Sequence, residues 1–176
     1  MAATATSASP VPSAVAGRPV RRPTARPRPV SWPVLVAVCL SVEAALIHLW
    51  YVPEALMEWW GYGAFFMGCA AGQAAFGPVL LRWRHPVVVT AGIWANAVVV
   101  ALYVQSRLWG VPVGPHEGAV EAVGLFDLAA VVAETGLIVV LVTLLPDRLR
   151  SRTLTGLMVL GLGLWLLRLA VGPILP

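Results

Sequence analysis

The chain has 176 residues, 59% of them hydrophobic and 11% charged, with a formal net charge of +4 and a mean hydropathy of +0.83. Soluble domains carry about 25% charged residues, so composition excludes a soluble globular protein, gives no reason to expect a nucleic-acid partner, and points to an integral membrane protein in a lipid bilayer. The cations are arginines alone, without lysine, in a chain rich in Ala, Val, Gly, Pro and Leu. That bias accompanies GC-rich bacterial genomes, and the expected location is a bacterial cytoplasmic (inner) membrane.

Residues 1–31 are mostly Ala, Ser, Thr, Pro and Arg, without apolar periodicity. They are expected to form a disordered basic tail, because they cannot bury enough surface to offset chain entropy. Arg21 and Arg22 precede an apolar run, as in a twin-arginine signal. That run holds Glu43 and His48 and lacks a small-x-small cleavage site, so a retained tail is expected.

Residues 32–176 are expected to be all-α, a bundle of five transmembrane helices. Runs near 33–52, 61–82, 86–107, 123–145 and 154–172 approach the roughly 20 apolar residues that span a bilayer, and Pro33, Pro53, Gly61, Pro86, Pro146 and Pro173 mark most of their ends. Pro53 suits the first turn of a new helix, so 53–60 is expected to be a short interfacial helix on the outer side. It would turn Glu54 and Glu58 to water and Leu56, Trp59 and Trp60 to the headgroups.

The arginines set the expected orientation. Arg18, Arg21, Arg22, Arg26 and Arg28 of the tail share one side with Arg82, Arg84, Arg148, Arg150 and Arg152, while Arg107 and Arg168 lie toward the other. The N-terminus is then expected inside and the C-terminus outside. Glu54, Glu58, Glu117 and Glu121 fall in the outer connections. His85 lies in the basic inner connection and reads as a solvated or headgroup-facing residue.

Glu43, Asp127 and Glu134 fall within spans, where an ionised Asp costs about 2.5–3.5 kcal/mol and is read by default as functional. By depth, Glu43, Gln73, Asn96 and Glu134 form one layer near the middle. His48, Tyr103, Asp127 and Arg168 form a second layer nearer the outer side. Asp127 and Glu134 share a helical face, as do Asn96, Tyr103 and Arg107; Glu43 and His48, about 140° apart, flank one face. Lipid offers these groups no partner, so the stripes are expected to converge inside the bundle. Gly68 and Gly72 of the second span have small-xxx-small spacing, which plain helix packing would explain. Gly156, Gly161 and Gly163 form a similar series in the fifth.

The connection Leu108–Gly124, rich in Gly and Pro, reads as an ordered, folded-over loop. With His48, Glu54 and Glu58, its His116, Glu117 and Glu121 could cap Asp127 with carboxylates and imidazoles. His48, Glu54, Glu58, His116, Glu121 and Asp127 are the candidate ligands for a divalent or transition metal, although their spacing follows no named metal motif. The two cysteines, Cys39 and Cys69, lie in different runs, form no CxxC pair and read as small hydrophobes. Haem is not expected, because His48 is the one histidine inside a span.

The pattern His48, Pro53-Glu54, Glu58-Trp59, Gly63 with Phe65-Phe66, Ser106-Arg107, Gly110, Pro112, Gly114-Pro115, Glu121, Gly124, Asp127 and Glu134 resembles a family of small bacterial integral membrane proteins without an established function. The resemblance covers spans one to four. Members often carry a histidine directly after the acid matching Glu54, where this chain has Ala55, a departure that weakens the metal reading.

Three functions stay open at this stage. The cluster could bind a cation from the outer face, either a proton carried by Glu43 and Glu134 or a metal. The protein could be a structural or assembly subunit of a larger membrane complex or homo-oligomer, its polar groups serving as interhelical glue. It could also be a membrane-embedded enzyme on a lipid, isoprenoid or quinone, with His48 and Asp127 or Glu43 as acid and base. No inverted repeat and no polar path to the inner side accompany the cluster, so binding is favoured over transport.

Overall fold

A computed structural model describes residues 30–171. The expected basic tail, apart from its last two residues, lies outside the described residues, as does the final residue of the expected fifth span. Five helices follow in order: α1 (Trp32–Glu58), α2 (Trp60–Arg82), α3 (Pro86–Leu108), α4 (Leu125–Thr143) and α5 (Asp147–Val171). All five are long and apolar enough to cross a membrane.

The helix starts follow from local chemistry. Pro33 and Pro86 sit in the first turns of α1 and α3, where the missing N–H costs nothing. The Val87 amide donates to His85 Nδ1 at 3.3 Å, so exposed His85 caps α3. The Asp127 carboxylate accepts from the Gly124 amide at 3.1 Å, and an acid in the first turn of α4 also complements the helix dipole.

The separate helix expected over 53–60 is instead the last part of α1, which runs through Pro53 to Glu58. Proline forfeits one backbone hydrogen bond, yet Ala45, His48, Val52 and Ala55 make one buried stripe across it. Burial of that stripe holds the helical path. The chain breaks later, at Trp59, a single extended residue (φ −165°, ψ 135°) between α1 and α2. At the other end of the fold, α5 begins at Asp147, earlier than its apolar run. Asp147 pairs with Arg150 at 3.4 Å, and Arg150 also donates to the Leu145 carbonyl at 3.0 Å, so helix extends beyond the lipid-compatible stretch.

Helix α1 packs antiparallel against α2 and α4, and α4 packs antiparallel against α3. Helices α2 and α3, although joined by a short turn, barely meet. The four therefore stand in the order α2–α1–α4–α3, with a seam open between the first and last. Helix α5 lies outside this group and touches it through residues such as Leu149 and Leu157. The end bearing Arg82, Arg84, Arg148, Arg150 and Arg152 is termed the arginine end, and the opposite end the loop end. The half nearer the arginine end is filled by Val34, Ala37, Leu80, Val89, Ile93, Leu137, Leu141 and Leu145.

The loop between α3 and α4 is ordered and folded over, as expected. Val111 is bonded to two successive residues across the loop: its N–H donates to the Ala119 carbonyl at 3.0 Å, and its carbonyl accepts from the Gly118 N–H at 2.9 Å. Gly110 has φ +87°, and a Cβ on it would come 2.3 Å from the Gly118 backbone. No L side chain fits there without moving main chain. The Tyr62 hydroxyl donates to the Val113 carbonyl at 2.9 Å, tying the loop to α2.

Candidate buried polar cluster

Near mid-height each of the four packed helices turns a polar side chain inward. His48 (α1), Gln73 (α2), Asn96 (α3) and Glu134 (α4) are all buried, Glu134 with 1% of its surface exposed. They form one network. Gln73 Nε2 donates to Glu134 Oε1 at 2.9 Å and to Asn96 Oδ1 at 3.2 Å. Asn96 Nδ2 donates to the Gly92 carbonyl at 2.8 Å, and the Ser41 hydroxyl donates to the Gln73 carbonyl at 2.7 Å. His48 Nε2 lies 3.5 Å from Glu134 Oε1. Gln73 Oε1 has no hydrogen-bond partner among the described residues, and a stranded buried acceptor costs about 1–3 kcal/mol.

The other ring nitrogen fixes the chemistry of the His48–Glu134 contact. His48 Nδ1 lies 2.8 Å from the Ala44 carbonyl, which only accepts, so Nδ1 carries a proton. In a neutral imidazole Nε2 then presents a lone pair. Facing a carboxylate oxygen, it leaves two acceptors opposed, and one shared proton resolves the opposition. On either the carboxyl or the ring, such a proton would serve both atoms.

One expected member of the mid-height layer separates here. Glu43 stands on the exposed side of α1 and, among the described residues, forms no hydrogen bond or ion pair. The buried stripe of α1 runs through Ser41, Ala44, Ala45 and His48; Glu43, about 140° from His48 at 100° per residue, falls behind it. Ser41, seven residues before His48, lies on the same face and belongs to the buried stripe, although an isolated serine in an apolar run carries no signal of it. His48 joins the deeper network rather than the layer of Asp127.

Asp127 and Glu134 do share a face of α4, but seven residues at about 1.5 Å each separate them by roughly 10 Å. Asp127 belongs to a second cluster toward the loop end. Arg107 donates through Nη2 to Asp127 Oδ2 at 2.6 Å, through Nη1 to the Ser106 hydroxyl at 2.8 Å, and to Glu121. Its guanidinium lies 4.6 Å from the centre of the Tyr103 ring. Phe66 stands between the two clusters, its ring 5.9 Å from that of His48 and 5.5 Å from that of Tyr51, which lies beside Asp127.

The outer-cap residues divide further. His116 Nε2 meets Glu58 Oε1 at 2.8 Å, both half-exposed, while Glu54 and Glu117 are exposed. Arg168 sits in the last turn of α5, outside the four-helix group. The six expected metal ligands are thus not gathered in one place. Among the described residues no group of three or more His, Cys, Asp or Glu side chains comes together as a metal site. Arg107 takes the place between Glu121 and Asp127 that a metal cation would need.

The open seam between α2 and α3 is a groove of about 530 Å³. Gln73 and Asn96 give it a polar floor; Gly68, Gly72 and Ala95 set back its walls, with Phe65 and Phe76 beside them. Plain helix packing does not explain these glycines: a Cβ at Gly68 or Gly72 would meet nothing within 4 Å. Gly156, by contrast, does sit against a neighbour, 2.9 Å from the Trp94 ring by the same measure.

No protein-family model, curated protein or solved structure matches this chain.

Proposed function

We propose that the protein binds a proton within the bilayer, at the pair formed by His48 and Glu134. The observation that carries this reading is the Nδ1 bond to the Ala44 carbonyl, which turns the acceptor face of the ring toward Glu134. The pair is stable with one proton and is left with opposed lone pairs without it. Gln73 supports the exchange by holding Glu134 Oε1 from the α2 side. Binding fits better than through-transport, because the half of the bundle toward the arginine end is packed with aliphatic side chains. A proton would enter and leave toward the loop end or the groove. A metal ion at the outer cap is the weaker form of the cation reading, given the separation of its expected ligands.

Infrared difference spectroscopy of the purified protein between two pH values tests the proposal. A carboxyl band that changes with pH in the wild type and disappears in Glu134→Gln is the expected result. Absence of any pH-dependent carboxyl or imidazole signal refutes it.

We further propose that the arginine end faces the cytoplasm, on the support of the arginine distribution. In a variant whose native Cys39 and Cys69 are replaced, a cysteine at His116 should react with an impermeant thiol reagent added outside intact cells, and one at Arg84 should not. The reverse pattern overturns the orientation.

A second reading, a subunit of a larger membrane assembly, is favoured by α5, in which few residues are buried against the rest of the chain. A partner that stays bound through purification, and is lost on bulky substitution at Gly161, would support it.

A further inference from the structure

We infer that the groove between α2 and α3 binds a membrane-dissolved lipid with a hydroxyl head, a long-chain alcohol of the isoprenoid or hydroquinone kind. The inference does not depend on proton exchange at His48 and Glu134. Three observations meet at this place. The groove opens to the lipid side of the bundle and is otherwise walled by small and aromatic residues. Gly68 and Gly72 hold it open without packing against anything. Gln73 on its floor is 93% buried, and its Oε1 has no partner.

The donor and acceptor inventory selects the head group. Both N–H groups of Gln73 are spent on Glu134 and Asn96, so what the residue still lacks is a donor. Asn96 spends one N–H on the Gly92 carbonyl, and its other has no hydrogen bond among the described residues. The floor therefore covers an acceptor and a donor, both without partners among the described residues, and a hydroxyl that reaches them answers both. A ketone or ester carbonyl answers only Asn96 and leaves Gln73 Oε1 stranded.

A helix from a second copy fits less well. Gln73 and Asn96 bridge the floor with one 3.2 Å hydrogen bond, and a helix about 10 Å across cannot descend between them. Its backbone N–H groups are also already used.

The test uses the full chain in nanodiscs and a diazirine-bearing long-chain alcohol, with peptide mapping after photolysis. Labelling should fall on residues 64–76 and 91–99 and be displaced by an unlabelled alcohol. The ketone of the same chain should compete roughly tenfold more weakly, the ratio that one unmade buried hydrogen bond produces. Gly72→Leu fills open space and improves helix propensity, so it should fold and lose most of the label. Gly68→Leu gives the same readout from the next turn. Ala71→Leu, on the shallow face shared with α1, should keep it. Equal competition by alcohol and ketone overturns the hydroxyl assignment. Labelling that survives both glycine variants overturns the groove. Trapping of a dimer through Gly68→Cys, with the groove unlabelled, assigns it to a second copy instead.

Discussion

Replacing Arg107 by leucine removes the one cation between Asp127 and Glu121, and the consequence can be sized from the geometry. Glu121 is half-exposed, so its share of the pairing is about 0–1 kcal/mol. Asp127 is 21% exposed and takes a 2.6 Å charge-assisted bond, worth about 1.5–3 kcal/mol. Stacking on Tyr103 adds about 0.5–1 kcal/mol. Asp127 keeps the Gly124 amide as a donor after the substitution, which holds the loss below the roughly 3–5 kcal/mol of a fully buried broken pair. The expected destabilisation is about 2–4 kcal/mol. Reversible unfolding in mixed micelles, titrated with a denaturing detergent, measures it. A double-mutant cycle with Asp127→Asn isolates the pair, and a coupling of about 1.5–3 kcal/mol is expected. A coupling below about 0.5 kcal/mol would mean that the cluster does not hold α3, α4 and the loop together.

Glu134→Gln should lose about 0.5–1.5 kcal/mol, since Glu134 Oε1 faces both Gln73 Nε2 and His48 Nε2 and an amide atom there serves only one of them, whereas Glu134→Leu serves neither and should lose about 2–3 kcal/mol in the same unfolding assay; equal losses would contradict the hydrogen-bond assignment. Gly110→Ala should loosen the loop, because a positive φ and the nearby Gly118 backbone together cost about 1–3 kcal/mol. Hydrogen exchange over residues 109–121 should rise clearly, and more than for Gly118→Ala, where φ is also positive but the space is open. Glu43→Gln should leave both the stability and the pH-dependent infrared signal unchanged; a lost signal would place Glu43 in the proton site after all.

Five helices, their apolar character and the ordered glycine loop were legible in the chain because each depends on local chemistry: run length, proline and glycine placement, and hydropathy. The agreement in depth of Gln73, Asn96 and Glu134 was legible too, since a helix rises uniformly along its axis. Depth alone left direction open. Glu43 lies as deep as the others but points away, because the stripe that α1 buries is chosen by its neighbours α2 and α4 rather than by its own sequence. By depth His48 reads as part of the shallower layer, and only the packing of α1 against α4 brings its ring to Glu134.

The sequence by itself determined which segments can enter a bilayer, and that a handful of polar side chains within them needed partners. Tertiary structure alone decided who those partners are: Arg107 went to Asp127, and His48 went to Glu134. It also left the seam between α2 and α3 open, although their short connection would suit a tight pair. The physical reason is that hydrogen-bond satisfaction in a membrane is a property of the whole bundle. A helix sequence states a need, and only the placement of the other helices says how it is met.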